Sequence, residues 1–330
     1  MNKEQMNKYV CEMADLVVRK METLQTEWEK PWINTGEKRN FYPQNLSGRH
    51  YSGGNAFLLF LLCEKYGYDT PVFLTFRQAK EAGVNVRKGE KSLPVYYYMP
   101  LVFEKGTDRK IKYEEYKKLT PEEQKRYRTV PLACFYRVFN LGQTDFAEVR
   151  PERWAELKGR FEPKERPASA DYKNERLDTM LERGQWVCPV TQTETGESAF
   201  YSPAQDRIEI PVKRRFTADT GFYGTLLHEM AHSTGAENRL GRLKHAAFGS
   251  AEYGREELVA ELSGALSGVM FGVSSTIQEN NIAYLKAWIE NIKEEPKFLL
   301  SVLGDTTKAV GYISDRLGVN AGEEELPQAA

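Results

Sequence analysis

The chain has 330 residues, 41% of them hydrophobic and 28% charged, with a mean hydropathy of −0.59, the composition of a globular protein with room for two domains. No run of 18 apolar residues occurs, and the N-terminal "MNKEQMNKYVCEMADLVVRK" lacks an apolar leader core, so neither a membrane span nor a signal peptide is expected and the reading is cytoplasmic. The net charge of −1 hides an asymmetry: residues 1–150 hold 25 Lys+Arg against 19 Asp+Glu, residues 151–330 hold 21 against 28, and a basic first half hints at a polyanionic partner.

In chain order, residues 3–28 predict an amphipathic helix, with Met6, Tyr9, Val10, Met13, Leu16, Val17, Met21 and Leu24 at spacings of three and four. A turn-rich stretch follows, through Pro31, Gly36, Pro43, Gly48 and the pair Gly53–Gly54. "NAFLLFLLCEKYG" reads as a buried helix ending at Gly67, and "TFRQAKEAG" as another ending at Gly83. "VNVRKGEKSLPVYYYMPLVFEK" and "LACFYRVFNLGQT" read as strands, and the polar segment between them as a solvated arm or inserted hairpin. Four cysteines (Cys11, Cys63, Cys134, Cys188) lie far apart without a CxxC pair, which argues against disulfides and against a Cys-based zinc site.

Residues 158–176 are charged, contain Pro163 and Pro167, and mark the expected boundary between domains at 1–157 and 177–318, with a tail at 319–330. Strand-like pieces in "SAFYSPAQDRIEIP" open the second domain. Helices are expected from about 217–220 to His232, over 254–271, 279–294 and 296–316. "RIEIP" reads either as an edge that pairs with an extended peptide or as an ordinary interior strand.

The second domain carries "LLHEMAHSTG". On a helix, positions i and i+4 lie one above the other, so His228 and His232 can face one metal ion. Glu229, one position round, can act as general base toward a water that the metal acidifies; this is the zincin arrangement, with Zn2+ as the expected ion. The third ligand is not the histidine of the metzincin pattern, because Asn238 stands at that position. In "YGREELVAELSG", Glu257 and Glu261 lie four apart on one helix face. Glu257 is read as the third ligand and Glu261 as an acceptor orienting a ligand histidine, with the reverse assignment open. Glu256 is expected to face solvent, and His245 is a weaker alternative ligand.

The pattern "DRIEIP…FYGTLLHEMAHSTG…RL…FGS…YGREELVAEL" resembles the zincin-like metallopeptidase domain of ArdC-type antirestriction proteins. The pieces "KPW", "NLSGRHYSGGNAFLL", "FLTFRQAKEAGVNVRKGEKS" and "VFNLGQT" resemble their single-stranded-DNA-binding domain, and the likeness runs over roughly residues 5–315 with order preserved. It implies an α+β fold: an N-terminal α+β single-stranded-DNA-binding domain, then a zincin-like metallopeptidase domain with the HExxH motif on its active helix. It also implies protection of incoming plasmid or conjugative DNA. The polar arm at 104–129 and the linker depart from the pattern. The first half offers cations and aromatic faces for a single strand, and DNA contacts are expected from Trp32, Arg49, Tyr51, Asn55, Arg77, Arg87, Lys88 and Lys91, with Trp28, Lys38 and Arg39 nearby. The glycine pair before "NAFLL" reads as a backbone cradle for phosphate or as a plain turn. Two rival functions stand beside the leading one: a DNA-coating protein whose zincin domain does not cleave, and a peptidase that cuts a regulatory or DNA-bound protein.

Overall fold

The structure is a computed structural model and describes residues 3–27, 32–33, 41–107, 109–162, 173–196, 198–216, 219–244, 246–247, 249–273, 276–277 and 279–319. Helices and strands are mixed in both halves. The expected linker at 158–176 and tail at 319–330 fall largely outside the described residues, as do Trp28, Lys38, Arg39 and His245.

Helix α1 (Lys3–Thr26) buries Val10, Met13, Ala14, Val17, Met21 and Leu24, the positions its three-four spacing selects. Strand β1 (Gln44–Asn45) leads into α2 (Gly53–Tyr66), apolar on every side and buried from Gly53 to Cys63. Strand β2 (Val72–Leu74) precedes α3 (Phe76–Glu81), whose N-terminus carries a reciprocal Thr75–Gln78 capping box. Strands β3 (Leu93–Glu104) and β5 (Tyr127–Asn140) form a long antiparallel hairpin in register from Leu93↔Val138 to Glu104↔Tyr127. The polar arm is the tip of this hairpin, built from β4 (Lys110–Ile111) and the short helices α4 (Tyr113–Tyr116) and α5 (Pro121–Gln124). The sheet order is β1-β2-β5-β3-β4. Helices α6 (Phe146–Val149) and α7 (Pro151–Phe161) close the first half.

The second half begins with α8 (Glu175–Glu182) and a small sheet of β6 (Val190–Thr193), β7 (Phe200–Ser202) and β8 (Arg207–Pro211), in the order β6-β8-β7. Strand β8 holds "RIEIP" and pairs on both sides, parallel to β6 and antiparallel to β7. It is thus the middle strand, paired with β7 over Arg207–Glu209 and with β6 over Ile208–Pro211, and the edge-strand reading of "RIEIP" is corrected to the interior one. Helices α9 (Asp219–Thr234), α10 (Ala251–Phe271), α11 (Leu285–Glu294) and α12 (Lys297–Arg316) follow, with a 3₁₀ segment at Glu279–Tyr284.

The larger of two core clusters draws Val17, Met21, Phe57 and Phe73 from the first half together with Leu262, Trp288, Leu299 and Leu303 from the second. The smaller cluster joins Leu177, Ile208, Tyr223, Met230 and Ile313 around α9. The glycine pair shows how closely the halves meet. A Cβ on Gly53 would lie 2.4 Å from the Thr307 Cα, and one on Gly54 would lie 2.3 Å from the Tyr96 Oη and 2.8 Å from the Leu303 Cβ. The Gly54 N–H donates to Thr307 Oγ1 at 3.0 Å. The phosphate-cradle reading is thereby corrected: the pair is a seam that lets the start of α2 lie against α12.

Candidate metal centre

Helix α9 is enclosed, with Phe222, Tyr223, Leu226, Leu227, Met230 and Ala231 all buried, and polar side chains in such a helix need partners. His228 and His232 bring their Nε2 atoms to 3.1 Å. Helix α10 crosses closely here, because Gly264 sits where a Cβ would stand 3.3 Å from the His228 backbone nitrogen. That approach delivers Glu257, whose Oε2 lies 3.4 Å from His228 Nε2 and 3.5 Å from His232 Nε2.

The three atoms form a nearly equilateral triangle. Ligands about 2.1 Å from a tetrahedral ion stand roughly 3.4 Å apart, so the triangle has the size of one face of such a site. Two imidazole nitrogens and a carboxylate oxygen are also the donor types that a borderline divalent ion accepts. Electrostatics agree with a site prepared for positive charge. Burial pulls both histidines down, yet hydrogen bonding and charge from neighbouring carboxylates raise them: Glu257 chiefly for His228, Glu256 and Glu257 for His232, which is held well above its ordinary value. Burial pushes the Glu257 carboxyl up, and the two imidazoles outweigh that and hold it far below the usual carboxylate range.

A buried clamp orients His232. Its Nδ1 lies 3.1 Å from Glu256 Oε1, and Arg242 grips both oxygens of that carboxylate, each at 2.9 Å. Arg242 also donates to the Thr234 hydroxyl at 2.7 Å and to the Ala231 carbonyl at 2.5 Å, where the last carbonyls of α9 lack helical partners. Glu256 was expected to face solvent. Its side chain is 15% exposed, because Arg242 folds back over it from the loop after α9.

Glu257 and Glu261 part in role. Asn281 Nδ2 donates to Glu257 Oε2 and to Glu261 Oε1, both at 2.9 Å, and Trp32 Nε1 donates to Glu261 Oε2 at 2.9 Å. Glu261 Oε1 lies 4.0 Å from His228 Nδ1, beyond hydrogen-bond reach, so the carboxylate that orients a histidine here is Glu256. Glu229 is buried and lines, with His228, His232, Glu257, Tyr253 and Phe200, a cleft of about 1060 Å³. Asn238 is exposed in the turn after α9.

The residues expected to touch DNA divide. Trp32, Tyr51 and Asn55 are buried in the core, and their reading as DNA contacts is corrected. The Trp32 indole is committed to Glu261, and Asn55 exchanges hydrogen bonds with the Tyr96 backbone through both ends of its amide. Arg77, Arg87, Lys88 and Lys91 remain on the surface and Arg49 is half-buried. Arg77 pairs with Glu81, and Arg87 with Glu148 and the Gly142 carbonyl. Sequence reasoning missed Glu256, Arg242 and Asn281 as parts of the site. None of them carries a periodic signal, since each is joined to it by tertiary contact.

Comparisons with known proteins agree with this architecture. A family model for the N-terminal domain of the anti-restriction factor ArdC matches residues 7–139, and one for a zincin-like metallopeptidase matches residues 175–302. Two solved structures of the antirestriction protein ArdC from plasmid R388 share the fold. The metal-free one is 23% identical with a TM-score of 0.66, over 93% of this chain and 97% of that one. The Mn(II)-bound one is 24% identical with a TM-score of 0.65, over 92% and 97%. Among curated proteins, a DNA primase TraC of Escherichia coli is 28% identical over 91% of this chain, and an uncharacterized protein y4eC of Sinorhizobium fredii is 25% identical over 86% of it and 84% of its own length. The chain spans only 19% and 26% of the length of two TraC relatives.

Proposed function

We propose that this chain, in which an ArdC N-terminal domain model and a zincin-like metallopeptidase model each match one stretch, is an ArdC-type antirestriction protein: a zinc-dependent peptide hydrolase that acts while its first half holds single-stranded DNA. The observation that carries the catalytic part is the His228–His232–Glu257 triangle opening on a cleft that Glu229 shares. A divalent ion held there would supply a Lewis acid, able to acidify a water and polarise a carbonyl. His228 Nε2, His232 Nε2 and Glu257 Oε2 would hold it, and two nitrogens with one oxygen favour zinc among common divalent ions. One of the R388 ArdC structures is Mn(II)-bound, and Mn(II) also accepts carboxylate donors. Glu229 accepts the proton of the attacking water and returns it to the departing amine. Glu256 keeps the His232 ring turned so that its Nε2 faces the other two ligands.

For the DNA part, the support is the basic first half, the ArdC N-terminal domain match and the surface cations Arg77, Arg87, Lys88 and Lys91. The relatives named as DNA primases point to the same class of partner.

Two measurements test the reading. The zinc-loaded chain should cleave an unfolded protein substrate, and Glu229→Gln should retain stoichiometric zinc while losing at least about a hundredfold in rate. Cleavage at the native rate by that variant would remove Glu229 as base. Binding to a fluorescent single-stranded oligonucleotide should weaken steeply with salt, and Lys88→Glu with Lys91→Glu should lower the logarithmic salt slope by about one to two. An affinity indifferent to salt would remove the DNA assignment.

A further inference from the structure

A buried hydrogen-bond path runs from the first half of the chain to a metal ligand. Trp32 has no exposed surface, and its indole packs edge-on against Phe57 of α2 with ring centroids 6.3 Å apart. Its single donor, Nε1–H, goes to Glu261 Oε2 at 2.9 Å. The other oxygen of Glu261 accepts from Asn281 Nδ2, and the same amide nitrogen donates to Glu257 Oε2, both at 2.9 Å. All four side chains are buried, at 0, 1, 3 and 6% exposure from Trp32 to Glu257.

Each link answers a physical need. Glu257 and Glu261 stand one turn apart on α10, where two buried carboxylates repel and each requires donors. Asn281 gives one N–H to each. Glu261 needs a further donor on its second oxygen, and Trp32 provides it. The oxygen of Glu257 that takes the Asn281 bond is the one that faces both imidazoles. Its position is therefore set in part by Asn281, alongside a hydrogen bond between Tyr253 and the same carboxylate, and Asn281 is tied to Glu261, which Trp32 holds in place.

We infer that Trp32 is a positioning residue of the metal centre: the first half of the chain completes the network that aims Glu257 at the ion, so the bond from the Trp32 indole to Glu261 raises metal affinity. The inference rests on the metal reading above.

The test uses the full-length chain and measures the dissociation constant for Zn2+, and separately for Mn2+, by competition with a chromogenic chelator. Trp32→Phe keeps an aromatic ring against Phe57 and removes the N–H. It should weaken metal binding about 10- to 100-fold, the usual effect of losing an outer partner of a ligand. Asn281→Ala should weaken it similarly, and the double variant should be no weaker than the worse single one, because both cut one path. Phe57→Leu disturbs the packing of the indole without touching its N–H. It should lower the thermal midpoint of the metal-free protein and leave the metal constants within about twofold. Native metal affinity in Trp32→Phe overturns the inference, as does an equal loss in Phe57→Leu, which would show that packing alone is at work. Should Trp32→Phe fail to fold, Glu261→Gln takes its place and must show the same loss, since it sets an amide against Asn281. A native chain that binds no stoichiometric metal would instead overturn the underlying metal reading.

Discussion

At the scale of single residues, guanidinium groups organise the end of α9. Arg242 fixes Glu256, and Arg239 pairs with Asp206 and donates to the Ser233 carbonyl at 2.6 Å. Asp206 sits at φ 45° in the turn between β7 and β8, a conformation that Asp and Asn tolerate. Hydrogen bonds from Arg239 hold its carboxyl below the usual value, with burial acting the other way. A depressed carboxylate contributes stability that is full above its unfolded value, near 4, and is lost as pH falls through the lower folded one. Asp206→Asn should therefore lower the thermal midpoint at pH 7 and flatten its fall below about pH 4. An unchanged acid limb in pH-dependent thermal unfolding would count against this pair. The histidine spacing of the site was legible in sequence because an i, i+4 pair is a local geometric statement. Glu256 was misread because helix periodicity alone cannot foresee an arginine folding over it from a loop. Trp32, expected as a DNA contact, was misread for a related reason: its partner Glu261 lies 229 residues away.

At the scale of elements, apolar spacing located α1, α2, α10 and the long hairpin, and the hairpin absorbed the polar arm as its tip. "RIEIP" lay open to two readings because a short apolar strand looks alike at an edge and in the interior. The edge beside the cleft is β7, which carries exposed Phe200. The glycine pair at the start of α2 gives the sharpest element-level prediction. Gly54→Ala places a methyl against Tyr96 and Leu303 and should destabilise the protein by roughly 1–3 kcal/mol, read from chemical denaturation. The small Gly318→Ala site has nothing within 4 Å, but its φ of 65° makes it a poor control, whereas Gly304, also with open space, is a suitable one.

At the scale of the whole molecule, the charge split and the two family matches suggest a modular chain, whereas the larger core interleaves α1 and α2 with α10, α11 and α12. Thermal unfolding of the metal-free chain, followed by far-ultraviolet circular dichroism and by tryptophan fluorescence, should give coincident single transitions. Two separated transitions would show that the halves melt independently. The shared core could not be foreseen in sequence, because helices of both halves bury ordinary apolar faces and nothing in their spacing names the partner.

That interleaving bears on how such a chain can be taken apart. The stretches that the two family models match are separate in sequence, yet neither closes its own apolar surface in this molecule. A fragment cut between them would present the leucine- and phenylalanine-lined side of α2, or the matching side of α12, to water, and would behave as a client for chaperones before it behaved as a domain. Exchanging the first half with that of another protein would accordingly succeed only with the facing surfaces of α10 and α12 carried along, so that a chimera is constrained by a seam rather than by a linker.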